Sequence, residues 1–181
     1  SQGVDWNSKE SHFIRFEQLC KVFTNKENFS LLDFGCGYGA LIDYLYEANI
    51  ICDYIGFDIS EKMILKAKEN YFGDRIKFTN KLNESTYDFT IANGIFNVKL
   101  DNEEEEWEKY IIETIEKINT YSNIGFSFNI LSSYSDKEYQ RDYLHYANPT
   151  FYFDYCKKHF SRKVALLHDY DHYEFTILVV K

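Results

Sequence analysis

Short apolar blocks alternate along this chain with longer stretches whose apolar residues recur at helical spacing. Over 8–24, Phe13, Phe16, Cys20 and Phe23 fall three or four residues apart, on one face of a helix. The block at 30–34 predicts a strand, and the helix after it, over 40–49, gathers Leu41, Tyr44, Leu45 and Ala48 on one face. A second strand is expected at 54–57. Ser60 then caps a helix on which Ile64, Ala67 and Tyr71 share a face. Strands three and four, at 75–79 and 87–92, are separated only by polar residues 80–86, room for a single turn rather than a crossover helix. A long helix follows over 102–121, with Glu103 to Glu106 in its first turn, where carboxylates suit the helix dipole. Trp107, Ile111, Ile115 and Ile118 form its buried stripe, so the acidic run reads as a helix start rather than a metal site. Strand five, at 124–130, alternates Ile124, Phe126, Phe128 and Ile130. After the polar, Tyr-rich 131–148, Asn148 and Pro149 make an N-cap and first position for a helix reaching about residue 159. The last two strands, 163–167 and 173–180, are joined by so short a linker, His168 to His172, that they form an antiparallel hairpin.

Alternating strands and helices imply an α/β fold, a mostly parallel sheet covered by helices on both faces. Ligands of such sheets bind beyond the carboxyl ends of the strands. That rule singles out 33–39, Asp58, Asn80, Asn93 with Gly94, 129–134 and 168–172.

Within that set, Leu31-Leu-Asp-Phe-Gly-Cys-Gly-Tyr-Gly-Ala40 carries the strongest signal. A buried strand ends in three alternating glycines and runs straight into a helix. The next strand closes on Asp58, 19 residues after Gly39, about the span between a glycine turn and a ribose-binding acid in nucleotide-binding βαβ units. An adenosine-containing cofactor follows from this pattern.

Composition narrows the picture. At 181 residues the chain is one domain, and with 45% hydrophobic residues it has material for a full core. No apolar run is long enough to span a bilayer, and no signal peptide is visible. The chain opens Ser1-Gln-Gly without an initiator Met, as a trimmed chain would. A net charge of −9 argues against nucleic acid, which needs a basic surface. The densest basic stretch, from Lys157 to Lys163, reads as a solvated helix end, the alternative being a neighbouring small anionic substrate. Cys20, Cys36, Cys52 and Cys156 make no C-x-x-C and no zinc-ligand spacing. They read as reduced core residues of a cytoplasmic protein.

The acid and glycine string Asp33-Phe-Gly-Cys-Gly-Tyr-Gly39, the acid closing strand two and the terminal hairpin resemble class I S-adenosylmethionine-dependent methyltransferases, over about 29–181. The resemblance implies a doubly wound, Rossmann-like seven-stranded sheet whose last strand is reversed and inserted between the fifth and sixth. It implies S-adenosylmethionine as cofactor and S-adenosylhomocysteine as product. Gly35, Cys36, Gly37 and Gly39 would form the cofactor loop. Asp33 would attract the cofactor's ammonium, directly or through water, and Asp58 would accept both ribose hydroxyls, with Ile59 beside the adenine. Asn80 stands where the family often has an acid that bonds the adenine amine, and Asn93 and Gly94 match the region lining the methionine end. The cofactor half is then about 29–100 and the acceptor half about 101–181, within a single domain over 1–181.

Methyl transfer to a hydroxyl or protonated amine also needs a base. His168, His172 and His145 lie in loops at the ligand end, with an ordinary pKa near 6.5 suited to that work. Asn93-Gly-Ile-Phe96 lacks both prolines of the Asn/Asp-Pro-Pro-Tyr/Phe cradle of amino-group DNA and protein-glutamine methyltransferases. The expected acceptor is therefore a small polar molecule, with O-methylation first and N-methylation second. The C-terminal half looks like small bacterial methyltransferases of surface-glycan or secondary metabolism. The segments 8–24 and 131–148 are expected to form a lid over the acceptor. Two alternatives remain open: a non-catalytic S-adenosylmethionine-binding partner subunit, and an NAD(P)-dependent oxidoreductase, since Gly35-x-Gly37-x-x-Ala40 also fits the looser dinucleotide pattern.

Overall fold

The computed structural model describes residues 9–181; residues 1–8, including the expected start of the first helix, lie outside the described part. The strands are β1 (Phe29–Phe34), β2 (Cys52–Phe57), β3 (Ile76–Thr79), β4 (Tyr87–Ala92), β5 (Ser122–Leu131), β6 (Lys163–Leu167) and β7 (Glu174–Val180). The α-helices are α1 (Lys9–Cys20), α2 (Leu41–Glu47), α3 (Glu61–Asn70), α4 (Glu104–Tyr121) and α5 (Pro149–His159). Together the strands make one seven-stranded sheet in the order β3-β2-β1-β4-β5-β7-β6. Pairing is parallel from β3 to β5 and antiparallel on both sides of β7. The reversed last strand is thus inserted between the fifth and sixth, as the resemblance implied.

Two hydrophobic clusters sandwich the sheet. One gathers Leu31, Tyr54, Phe89 and Ile91 of the sheet with Phe16 and Leu19 of α1, Leu41 and Leu45 of α2, and Ile64 and Ala67 of α3. The other joins Phe126, Phe128, Ile130 and Ile177 to Ile111, Ile115 and Ile118 of α4 and to Tyr152 and Cys156 of α5. Because β5 lies inside the sheet and is covered on both faces, Gly125 to Leu131 are all buried, whereas Ile124, expected on the buried face, is exposed.

Helix starts follow local chemistry. The Ser60 side chain accepts from the Met63 amide and the Asn148 side chain from the Thr150 amide, with Pro149 at the first position of α5. The turn expected within 80–86 is absent. There the Thr79 hydroxyl both accepts from the Lys81 amide and donates to the Lys81 carbonyl, and Asn83 accepts from the Ser85 amide. Those local bonds satisfy the backbone groups a helical turn would have used.

The N-terminal segment packs into the core. Phe16, Leu19, Cys20, Val22 and Phe23 belong to the first cluster, and the Leu19 carbonyl accepts from Ser127 of β5. From Phe16 onward this segment is a wall of the core. All four cysteines are free and buried. Among the described residues no helix is long and apolar enough to cross a membrane.

Candidate functional site

The loop from Gly35 to Gly39 hangs on the end of β2, where the Phe57 carbonyl accepts from the amides of both Gly35 and Cys36. All three glycines hold positive φ: +85° at Gly35, +54° at Gly37 and +91° at Gly39. Their surroundings differ. A Cβ on Gly35 would stand 2.3 Å from Ile95 Cγ2, and one on Gly39 would stand 3.0 Å from the Tyr71 ring. A Cβ on Gly37 or Gly94 would meet nothing within 4 Å. The first pair is packed against protein and the second faces open space, as a cradle for a ligand requires.

Asp58 closes that cradle. Its Oδ2 accepts from the Gly37 amide at 2.9 Å and its Oδ1 from the Ser60 amide at 2.8 Å. Each oxygen retains a lone pair for a ligand hydroxyl, and two fixed amides set the plane of the carboxylate. Beside it Ile59 is 87% exposed, a large apolar side chain held out at the site. Asn80 is also exposed, one residue beyond β3. Asp33, by contrast, is buried, and its Oδ2 accepts from the Tyr54 hydroxyl at 2.6 Å. Burial lifts its carboxyl pKa to about 7, the Tyr54 bond opposes the rise, and the nearby Asp58 charge adds to it.

At the end of β4 the Gly94 amide donates to Asn129 Oδ1 at 2.7 Å, and Asn129 Nδ2 donates to Asn93 Oδ1 at 2.9 Å. Asn129, Tyr54, Arg15 and Glu174 are polar contributors not singled out individually from the sequence. Arg15 of α1 donates from Nε to Glu174 Oε1 at 2.5 Å, and both side chains are buried. The Glu174 pKa is raised by burial, against the pull of Arg15 and of the Asn129 amide. One signal was present in the sequence: Arg15 and Gln18 fall on the helix face that carries Phe16 and Leu19, where a charge needs a buried partner.

The three histidines occupy different surroundings. His172 is half-buried, with Nε2 3.1 Å from the Ser11 hydroxyl. Burial, and then the Arg15 charge, hold its pKa below the ordinary value. His168 is exposed, between the rings of Tyr134 and Phe175. His145 is enclosed and bonded through Nδ1 to Glu104 of α4.

Residues 32–118 match the family model described as a methyltransferase domain. The Mycobacterium tuberculosis (strain H37Rv) protein named "Putative methyltransferase Rv1506c" is 45% identical over 165 residues, which is 89% of this chain and 98% of that one. The chain belongs to the methyltransferase family. Two solved structures show the same fold at lower identity. The magnesium protoporphyrin IX methyltransferase of Synechocystis PCC 6803 with bound S-adenosylhomocysteine is 16% identical, with a TM-score of 0.68 over 100% of this chain and 90% of that one. The plantazolicin methyltransferase BpumL, also bound to S-adenosylhomocysteine, is 15% identical with a TM-score of 0.67, over 96% of this chain and 85% of that one.

Proposed function

We propose that this methyltransferase transfers the methyl group of S-adenosylmethionine to a small polar acceptor, a hydroxyl in preference to an amine. The observation that carries the cofactor assignment is the Asp58 carboxylate, held by the Gly37 and Ser60 amides at the rim of a glycine loop whose Gly37 face is open. Asp58 so placed suits a neutral ribose diol, and Asp33, an acid at the root of the same loop, is what would repel the phosphates of a dinucleotide. In this reading Asp58 holds the ribose, Ile59 covers the adenine with Asn80 at its edge, and Cys36 backs the loop. Asn93 and Gly94, fixed by Asn129, line the methionine end, where Asp33 offers the one carboxylate oxygen that Tyr54 leaves free. When bound, the cofactor supplies an electrophilic methyl on a sulfonium.

The protein's own contribution is to align the acceptor, exclude water and remove its proton. His172 is the base favoured here, because burial and Arg15 keep its ring neutral and able to accept a proton near pH 7. His168 is the second candidate, on the exposed side of the same hairpin. The enclosure of His145 disfavours it as a base. Structural neighbours named magnesium protoporphyrin IX methyltransferase, plantazolicin methyltransferase and human N-acetylserotonin methyltransferase support a non-nucleic-acid acceptor. The resemblance to small bacterial enzymes supports a place in surface-glycan or secondary metabolism, within a cytoplasmic setting.

Calorimetric titration with S-adenosylmethionine, S-adenosylhomocysteine, NAD and NADP tests the cofactor. Micromolar binding of the two sulfur nucleotides is expected, weakened about 100-fold, or roughly 2.7 kcal/mol, in Asp58→Ala. Preference for a dinucleotide would overturn the assignment. Acceptor screening by homocysteine release then separates enzyme from non-catalytic subunit. His172→Gln should lower kcat by about 10²–10⁴ with unchanged cofactor affinity, and an undiminished kcat would remove His172 as the base.

A further inference from the structure

The acidic start of α4 does more than suit the helix dipole. Glu104 and Glu108 lie one turn apart, and one carboxylate oxygen from each lies within 4.8 Å of the other and of a ring nitrogen of His145. His145 arrives from the 131–148 segment, 37 residues beyond Glu108 in the chain, so the cluster is made by tertiary structure. Its amide donates to the Asn97 carbonyl, and the side chain of Asn97 in turn accepts from the Leu131 amide, which fixes the approach of the ring.

Two observations beyond the acidic residues point to a ligand. The His145 ring is 1% exposed, and while Nδ1 meets Glu104, the buried Nε2 has no hydrogen-bond partner. The hydroxyl of Tyr152, on α5, is likewise buried and unpartnered, and it lies within the electrostatic reach of Glu108 and Glu104. A buried polar atom left unsatisfied costs free energy unless something binds it.

We propose that Glu104, Glu108 and His145 bind a divalent cation of the Zn²⁺ class. Two carboxylate oxygens and one imidazole nitrogen are the donor set of a three-ligand zinc site, with a further position left to solvent. Both glutamates are exposed, so the ion has an entry path. The positive end of the α4 dipole opposes a cation, and Lys99 Nζ stands 4.0 Å from Glu104 Oε2 as a competitor. Glu103, Glu105 and Glu106 bring the compensating negative charge. A bound ion would tie the 131–148 segment to α4. This site is separate from the cofactor assignment and stands or falls independently of it.

The test is direct. The full chain is stripped with EDTA, exchanged into buffer and titrated with ZnCl₂ and, for comparison, MgCl₂. Expected are one Zn²⁺ bound per chain, a rise in Tm on binding, and little response to Mg²⁺, which demands octahedral oxygen ligation. Glu108→Gln is the primary variant, since the side chain is exposed and its loss leaves the core intact. It should weaken Zn²⁺ binding at least tenfold and remove the Tm rise. His145→Gln should do the same, and if that variant fails to fold, Glu108→Gln still decides. Zn²⁺ binding of equal affinity in the wild type and Glu108→Gln, or no stoichiometric binding by the wild type, would overturn the proposal.

Discussion

The two polar regions at the carboxyl edge of the sheet are built in opposite ways. Around the glycine loop, backbone amides do the holding: Gly37 and Ser60 orient Asp58, and Phe57 anchors Gly35 and Cys36. At the junction of β5 and β7, side chains hold one another: Arg15 pairs with Glu174, and Asn129 links Asn93 and Gly94. The first region is assembled from one stretch of about two dozen residues. The second draws on α1, the end of β4, β5 and β7, separated by as many as 159 positions between Arg15 and Glu174. A backbone-built site tolerates change wherever the backbone is indifferent to the side chain. A side-chain network fails when any one member leaves a buried partner uncompensated.

Breaking the second region should give the largest effect. Arg15→Ala leaves Glu174 buried without its cation and should cost about 3–5 kcal/mol of stability in urea unfolding. A loss below about 1 kcal/mol would mean the pair is no more important than an exposed one. Asp33 carries the next largest effect, through pH. Its folded pKa of about 7 exceeds the unfolded value near 3.8, so the native state keeps a proton that the unfolded chain has released. Stability from this group is therefore lost as pH climbs from about 4 to about 7, up to about 4 kcal/mol as an upper bound. Asp33→Asn should flatten that slope in denaturant curves taken at successive pH values, and an unchanged slope would rule out Asp33 as its source.

The glycines sharpen the comparison within the first region. Gly35→Ala forces a Cβ against Ile95 at a positive φ and should cost about 2 kcal/mol of stability. Gly37→Ala has open space for its methyl and should cost about 1 kcal/mol or less, yet weaken cofactor binding because the methyl enters the ligand's side of the loop. Thermal melts beside calorimetry separate the two, and equal losses of stability would erase the distinction.

Legibility followed the same division. The caps at Ser60 and Asn148 were readable because each is fixed by neighbours within a few residues, and the glycine string with Asp58 because both lie in one βαβ stretch, 21 positions apart at the Gly37 contact. The terminal hairpin was readable because the linker after Leu167 is too short for a crossover to a parallel strand. Ile124 misled because alternation describes a strand with one covered face, and β5 is covered on both. The 80–86 turn misled because side chains replaced the helical bonds.

By itself, then, the sequence determined the α/β alternation, the glycine loop and the acid that ends the next strand, since short-range backbone geometry and hydrophobic period are written residue by residue. The tertiary structure alone decided that α1 is a core wall, that Arg15 meets Glu174, that Tyr54 shares Asp33, and that His145 meets the start of α4. Those choices depend on which distant buried polar groups the packed sheet brings within hydrogen-bond reach, and no local pattern encodes that distance.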